Sequence, residues 1–182
     1  MLAKMTKNFK GTIQEYPSNF WIIVVGGFID RLGGTMIFPF FALYLTGKFG
    51  VSYTQAGILL GLWSVCSSVG SMLGGALTDK LGRKKMVLFG LVLSAMTSLL
   101  LGFVEEFYLL YPIVIVAGTL ANIGGPAQQA MVVDILPEEK RQEGYGILRV
   151  VANMSWIIGP IIGGFVANRS YFMLFVLDAV FS

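Results

Sequence analysis

The sequence predicts an all-α integral membrane protein made of consecutive transmembrane helices, and two observations carry this prediction. Hydrophobic residues make up 55% of the 182 residues and charged residues only 13%, whereas a soluble domain carries about 25% charged residues. Apolar runs of the ~20 residues that a helix needs to cross a bilayer recur along the chain, separated by short polar connections. A surface with so few charges would aggregate in water, so lipid is the expected solvent.

The apolar runs define the elements in order. Residues 1–17 form a polar tail with three lysines, and residues 18–182 form one transmembrane helical domain. The run after the tail is too long for a signal-peptide core and lacks a cleavage site, so we expect a retained first span. The predicted spans are 19–46, 53–78, 86–104, 107–136 and 144–168, with a sixth starting at 171.

The sixth span is expected to be incomplete. Residues 171–182 would rise only about 18 Å as a helix, against a hydrocarbon core of about 30 Å. We therefore expect this chain to be part of a longer protein, and the isolated chain to be inactive in transport.

Basic residues are distributed unevenly between the two sides. Nine lie in the tail, in the 79–85 loop and just after the fourth span, whereas the other side has only Lys48 and Arg169. The positive-inside rule then places the N-terminus and the 79–85 loop in the cytoplasm of a multi-pass plasma-membrane protein. Topology therefore explains the net charge of +3, which gives no reason to expect nucleic acid as a partner.

The composition argues against an enzyme. The chain has no histidine, the commonest metal ligand and the usual acid–base group at neutral pH, and its one cysteine, Cys66, cannot form an intrachain disulfide. We expect neither a metal site nor a cofactor.

The second span carries small residues at alternating steps of four and three. A stripe of this kind lets two helix backbones approach closely in lipid. It predicts either ordinary packing inside the bundle or a contact with one particular helix. Its members are Gly57, Gly61, Ser64, Ser68, Ser71, Gly75 and Thr78, and the next step reaches Gly82.

The stripe runs into a charged loop that closely resembles the loop between helices 2 and 3 of the major facilitator superfamily. The matching residues are Gly75, Asp79, Lys80, Gly82, Arg83, Lys84 and Lys85. The resemblance implies the N-terminal six-helix half of a twelve-helix carrier, built from three-helix repeats. In that family the loop holds the two halves together on the cytoplasmic side when the carrier faces outward. Its acid, here Asp79, lies at the start of a helix in the other half, where the helix dipole stabilises a carboxylate.

Two further features fit the same resemblance. Asp134 at the end of the fourth span resembles the acid that pairs with the loop arginine, here Arg83, although an ordinary interfacial carboxylate is the alternative. The fifth span contains a motif similar to that of the drug:proton antiporters, with Ser155 in place of a frequent glycine. Its proline loosens the helix and its glycines permit close helix contact. The motif residues are Gly159, Pro160, Gly163 and Gly164. We expect the small-residue contacts of spans 2 and 5 to lack partner helices within this chain.

Ionisable and polar residues inside the spans are candidates for binding substrate or protons. Asp30 and Arg31 lie deep in the first span, where charges are costly and usually functional. Asp30 is the best candidate for a protonatable or cation-binding group, and a structural ion pair is the alternative. Further candidates, expected to meet Asp30 or face the same interior, are Asn122, Gln129, Arg149 and Asn153.

The sequence departs from many drug antiporters in one respect, because residues 107–136 contain no lysine or arginine. This departure puts proton coupling in doubt. The sequence also leaves the partner of Asp178 undetermined.

The favoured function is export of lipophilic or cationic small molecules in exchange for protons, by alternating access. Its partners would be membrane lipid, a small-molecule substrate, protons and a C-terminal helical half absent from this chain. One alternative is a carrier of the same superfamily for a sugar, organic acid or other metabolite. Another is a membrane protein that serves in interaction or assembly without transport.

Overall fold

The computed structural model describes residues 15–182, and all regular structure in this range is helical. The predicted all-helical architecture is confirmed, whereas the predicted tail lies outside the described residues except for its last three positions. The helices are α1 (Ser18–Phe49), α2 (Tyr53–Leu81), α3 (Arg83–Phe103), α4 (Leu110–Ala121), α5 (Gly125–Ile135), α6 (Glu138–Ala167) and α7 (Tyr171–Phe181), with a 3-10 turn at Phe107–Leu109.

Five segments are long and apolar enough to cross a membrane: α1, α2, α3, the stretch 107–135 that contains α4 and α5, and α6. α7 is a shorter apolar helix. Large hydrophobic side chains such as Met72 and Phe165 are more than three-quarters exposed. Apolar surface of this kind suits a lipid environment or a further helical partner.

The first two connections are tight because glycines adopt backbone conformations with positive φ. Gly50 has φ 65° and ends α1, and Gly82 has φ 87° and alone joins α2 to α3. α2 begins with a capping box, in which the Gln55 backbone N–H donates to Ser52 Oγ at 3.3 Å and the Ser52 N–H donates to Gln55 Oε1 at 3.0 Å. These local signals set where the helices begin and end.

Several helices extend beyond the predicted apolar runs. α6 begins at Glu138 rather than 144, and Glu138 and Glu139 lie in its first turn. Acidic side chains in a first turn complement the helix dipole, so the helix continues into polar sequence. A prediction based on hydropathy therefore identified the apolar part of this helix and missed its polar start.

The predicted fourth span is broken. A turn over 122–124 separates α4 from α5. Pro126 stands in the first turn of α5, where its missing N–H breaks no helical hydrogen bond. α3 approaches this break closely, because a Cβ on Gly90 would lie 2.7 Å from Gly124 Cα.

The helices pack as pairs: α1 lies along α6, α2 along α4, and α7 against both α1 and α3. A large core cluster includes Phe41, Tyr44, Leu59, Val114 and Phe175. A second cluster around Phe20 and Leu136 lies at the opposite end of the bundle, which we call the basic end because the α2–α3 loop and the start of α6 place their lysines and arginines there. These two clusters fix both ends of the first helix.

The inward face of α2 is not the predicted small-residue stripe. A Cβ on Gly70 or Gly74 would collide with the α4 backbone at Thr119 or with the backbone at Ile123. By contrast, Cβ atoms at Gly57, Gly61 and Gly75 would meet nothing within 4 Å. The packed positions form a second row, Cys66, Gly70, Gly74 and Thr78, all of them buried, which shares only Thr78 with the predicted stripe. The predicted stripe is left without a helix partner over most of its length in the described part of the chain.

The prediction that the fifth-span glycines lack a partner within this chain was wrong. Gly159 and Gly163 are buried against α1, where added Cβ atoms would meet Thr35 and Met36. The contact is reinforced because the Thr35 hydroxyl donates to the Ser155 carbonyl at 3.0 Å. Because glycine has no side chain, the backbones of α6 and α1 can come this close.

Candidate functional site

The basic end contains the one salt bridge among residues 15–182. Arg83 Nη1 lies 2.6 Å from Asp134 Oδ1, and both side chains are at least one-third exposed. Arg83 also donates to the Ala130 carbonyl. The structure thus brings together the two residues that the sequence analysis pairs, and it joins the start of α3 to the end of α5.

A second arginine contacts the same helix end. Arg141 donates from Nε to the Leu136 carbonyl at 3.2 Å and from Nη2 to the Val133 carbonyl at 3.1 Å. The last carbonyls of a helix lack intrahelical partners and carry partial negative charge, so cations stabilise them. Arg141 was not singled out from the sequence, although a basic residue just beyond a predicted helix end is a usable signal.

The remaining loop residues are exposed to their surroundings. This group comprises Asp79, Lys80, Gly82, Lys84 and Lys85. Among residues 15–182 none of the charged members forms a salt bridge, and their exposed side chains are accessible to an additional partner.

A cavity of about 390 Å³ lies within the bundle and is lined mainly by α1, α2, α3 and α7. Its walls combine polar groups with aromatic rings. The polar lining residues are Asp30, Arg31, Thr35, Ser67, Ser94, Thr97, Ser98, Asn122 and Asp178, and the aromatic ones are Phe38, Phe41, Trp63, Trp156 and Phe175.

The cavity brings two carboxylates together. Asp178 is only 8% exposed, and it lines the cavity close enough to Asp30 for their charges to interact. Asp30 also interacts with the charge of the neighbouring Arg31. Asp30 and Arg31, which the sequence analysis singled out in the first span, both line this cavity.

Three predicted residues are not part of this cavity. Arg149, Asn153 and Gln129 are exposed on α6 and α5 and do not line it. The expectation that Arg149 and Asn153 meet Asp30 or face its interior was wrong for this chain. The reason is that α6 turns its glycine face toward α1 and contributes Trp156 instead.

Asn122 does line the cavity, from the break between α4 and α5. Gln129 is two turns away on α5, and only its backbone carbonyl is engaged, by the Tyr145 hydroxyl at 3.0 Å. The break changes the direction of the chain, so the two residues do not share the single stripe that a continuous helix would give.

The fifth-span motif acts in packing between helices. Gly159 and Gly163 contact α1 closely, and a Cβ on Gly164 would lie 3.4 Å from the Phe40 ring. Pro160 lies inside α6. These residues position α1, and with it Asp30 and Arg31.

Sequence reasoning missed Asp178 and the α3 hydroxyls as parts of this cavity. An acid within an apolar segment is itself a signal of function, but its partner depends on which helix packs beside it. Within residues 15–182, no three His, Cys, Asp or Glu side chains are grouped so that they could hold a metal ion.

Several known membrane transporters are similar in sequence to this chain. It is 30% identical over 175 residues to a Na⁺, Li⁺, K⁺/H⁺ antiporter from Planococcus maritimus, covering 93% of this chain and 41% of the relative. It is 32% identical over 168 residues to the uncharacterized MFS-type transporter YttB from Bacillus subtilis strain 168, covering 90% of this chain and 41% of that protein.

It is also 28% identical over 148 residues to the quinolone resistance protein NorA of Staphylococcus aureus, covering 81% of this chain and 38% of that protein. The chain therefore spans about two-fifths of the length of these relatives.

Among solved structures, a mutant of the peptide transporter POT in complex with sulfate superimposes with a TM-score of 0.82 at 17% identity, covering 91% of this chain and 35% of the other. This similarity confirms the predicted fold class, an all-helical fold that corresponds to about one-third of a larger chain. The family model for the Major Facilitator Superfamily matches residues 23–182. The chain belongs to the Major Facilitator Superfamily.

Proposed function

We propose that the full-length protein is a secondary transporter of the plasma membrane that exports lipophilic or cationic small molecules in exchange for protons. The observation that carries this proposal is the cavity in which Asp30 stands among aromatic rings such as Trp63 and Trp156. Aromatic faces and a carboxylate together attract a lipophilic cation. The similarity to a quinolone resistance protein supports the same substrate class.

The basic end would serve the conformational cycle. The Arg83–Asp134 pair fixes the start of α3 to the end of α5, and the exposed residues Asp79, Lys80, Gly82, Lys84 and Lys85 would contact the C-terminal half. In alternating access, such contacts form in one state and break in the other, so they bias the equilibrium between states. The cytoplasmic location of this end and of the N-terminus follows from the basic residues.

The cavity and the packing motif would have different roles within this half. Asp30, Arg31 and Asn122 line the cavity and would contact substrate or protons. Arg149, Asn153 and Gln129 are exposed in this half and would face either the second half or lipid. The fifth-span residues Gly159 and Gly163 would hold α1 in register.

The test is ethidium efflux from cells that express the full-length protein. We expect efflux that stops when a protonophore collapses the proton gradient, and loss of gradient-driven efflux in the Asp30→Asn variant. Uptake of labelled sugars or organic acids without ethidium efflux would instead support a metabolite carrier. A stable assembly with no flux of either kind would support a non-transporting membrane protein.

A second candidate is exchange of alkali metal ions for protons, which the name of the relative from Planococcus maritimus favours. Carboxylate and hydroxyl oxygens such as those lining the cavity are suitable ligands for these ions. Sodium-dependent proton movement in vesicles without ethidium would support this candidate.

A further inference from the structure

Asp178 is an acid buried in the bundle, and no basic side chain among residues 15–182 forms a salt bridge with it. It is 8% exposed, and the salt bridge between Arg83 and Asp134 is the only one formed within residues 15–182. A carboxylate at such depth is costly unless a counter-charge, a proton or a ligand compensates it. Its burial in the cavity wall therefore needs a physical explanation.

The packing of α7 against α1 places Asp178 beside Asp30. A Cβ on Gly33 would lie 3.0 Å from Asp178 Cα and 3.3 Å from its Cγ. Asp178 therefore packs directly against α1 at Gly33. Gly33 lies one helical turn from Asp30, on the same side of α1. The two carboxylates consequently line one cavity and interact with each other.

The charges of this cavity do not balance when both acids are ionised. Its charged lining groups are Asp30 and Arg31 from α1 and Asp178 from α7, while α2, α3, α4 and α6 contribute only uncharged side chains. Two carboxylates and one guanidinium carry a net charge of −1, and a single bound proton makes the group neutral. An uncompensated charge is costly on a buried side chain such as Asp178.

The hydroxyl groups of α3 fit a protonated acid. Ser98 Oγ donates to the Phe175 carbonyl at 3.1 Å, and Thr97 Oγ1 donates to the Ser94 carbonyl at 2.9 Å. A carbonyl can only accept, so these hydroxyl protons are already used. With its proton on the Phe175 carbonyl, the Ser98 oxygen keeps lone pairs that could accept from a protonated Asp178 carboxyl, which lines the same cavity.

We propose that Asp178 and Asp30 together form a two-carboxylate site that binds the proton exchanged for substrate. One O–H bond forms when a proton arrives from water on one side, and the same bond breaks when the proton leaves to the other side. This inference rests on the proposed proton-coupled transport and adds the second residue of its coupling site. Because the carboxylates interact, the proton belongs to the pair rather than to either acid alone.

The test uses the purified full-length carrier in liposomes with ethidium as the probe. We expect Asp178→Asn to reduce ethidium accumulation driven by a pH gradient by at least about tenfold, in line with the usual size of a coupling between sites. Exchange of ethidium for ethidium without a gradient should remain. The double variant with Asp30→Asn should lose no more than either single variant, since the two acids act as one unit. Glu105→Gln, an exposed acid in the α3–α4 connection, is the control and should behave as the unmodified carrier.

A matched pair of glycine variants tests the position of Asp178 without removing it. Gly33→Ala should displace the acid and reduce gradient-driven accumulation. Gly34→Ala should not, because its Cβ would only approach Asp178 Oδ1 at 4.0 Å. This pair keeps the proposal testable if Asp178→Asn does not fold.

Each outcome decides the proposal. Full gradient-driven accumulation by Asp178→Asn would overturn it, as would accumulation driven by sodium or potassium but not by a pH gradient. If the unmodified carrier moves no ethidium, the proposed function fails for this probe and the site is tested separately. The infrared band of protonated carboxyl groups in the purified carrier should then weaken in both Asp30→Asn and Asp178→Asn, and an unchanged band would refute the site.

Discussion

The contact between α1 and α6 at Gly159 allows a quantitative prediction for Gly159→Ala. The added Cβ would lie 2.8 Å from Thr35 Cβ and 3.1 Å from the Thr35 carbonyl carbon, and closer still to Oγ1. Because two backbones meet here, neither neighbour can move aside as a flexible side chain would. The helices must separate, and the hydrogen bond from Thr35 to the Ser155 carbonyl is weakened.

The magnitude follows from two contributions. Overpacking of this kind costs about 1–3 kcal/mol, and an interhelical hydrogen bond in a membrane contributes about 0.6 kcal/mol. Alanine also gains up to about 1 kcal/mol of helix propensity over glycine. The control Gly146→Ala, on the same helix, shares this gain but meets nothing within 4 Å. The difference between the two variants isolates the contact and is expected to be about 2–4 kcal/mol.

The assay is denaturant titration of the purified full-length carrier in detergent, followed by tryptophan fluorescence. Gly159→Ala should unfold at lower denaturant concentration than Gly146→Ala. If neither variant is less stable than the unmodified carrier, the close helix contact is refuted. Equal destabilisation of both would instead show that Gly146 contacts the second half.

Three further predictions concern single contacts of the full-length carrier. Asp134→Asn should lower the free energy of unfolding by less than about 1 kcal/mol because the ion pair is half-exposed, and it should slow ethidium efflux. A large decrease in the free energy of unfolding together with normal efflux would contradict a role in the transport cycle. Gly82→Ala should cost about 1–3 kcal/mol by denaturant titration, since φ is 87° and ψ is 145° there, a conformation essentially restricted to glycine, and an unchanged stability would argue against this turn. Lys48→Met should lower the free energy of unfolding by about 1–3 kcal/mol in the same titration, because Lys48 Nζ donates to the Val104 carbonyl at 2.6 Å and the Tyr44 hydroxyl at 3.0 Å. An unchanged free energy of unfolding would show that these hydrogen bonds do not persist.

The sequence by itself determined the helical spans and the positions of the turns between them. Apolar runs must be helical in lipid because every backbone polar group needs a partner within its own segment, and this holds whatever the neighbours are. Gly82 marked the turn between α2 and α3, and the family resemblance indicated the pairing of Arg83 with Asp134 that the structure shows. These features depend on residues close in the chain or on a recognisable motif.

Only the tertiary structure decided which small-residue face is packed and which helix packs against it. α2 has two rows of small residues, and spacing alone could not show that Gly70 and Gly74 contact the fourth span while Gly57 and Gly61 stay open. Likewise, Asp178 and Asp30 are far apart in sequence, and their meeting depends on α7 packing against α1 at Gly33. Hydropathy and helix propensity are local properties, whereas the choice of helix partner is made by shape complementarity between distant segments.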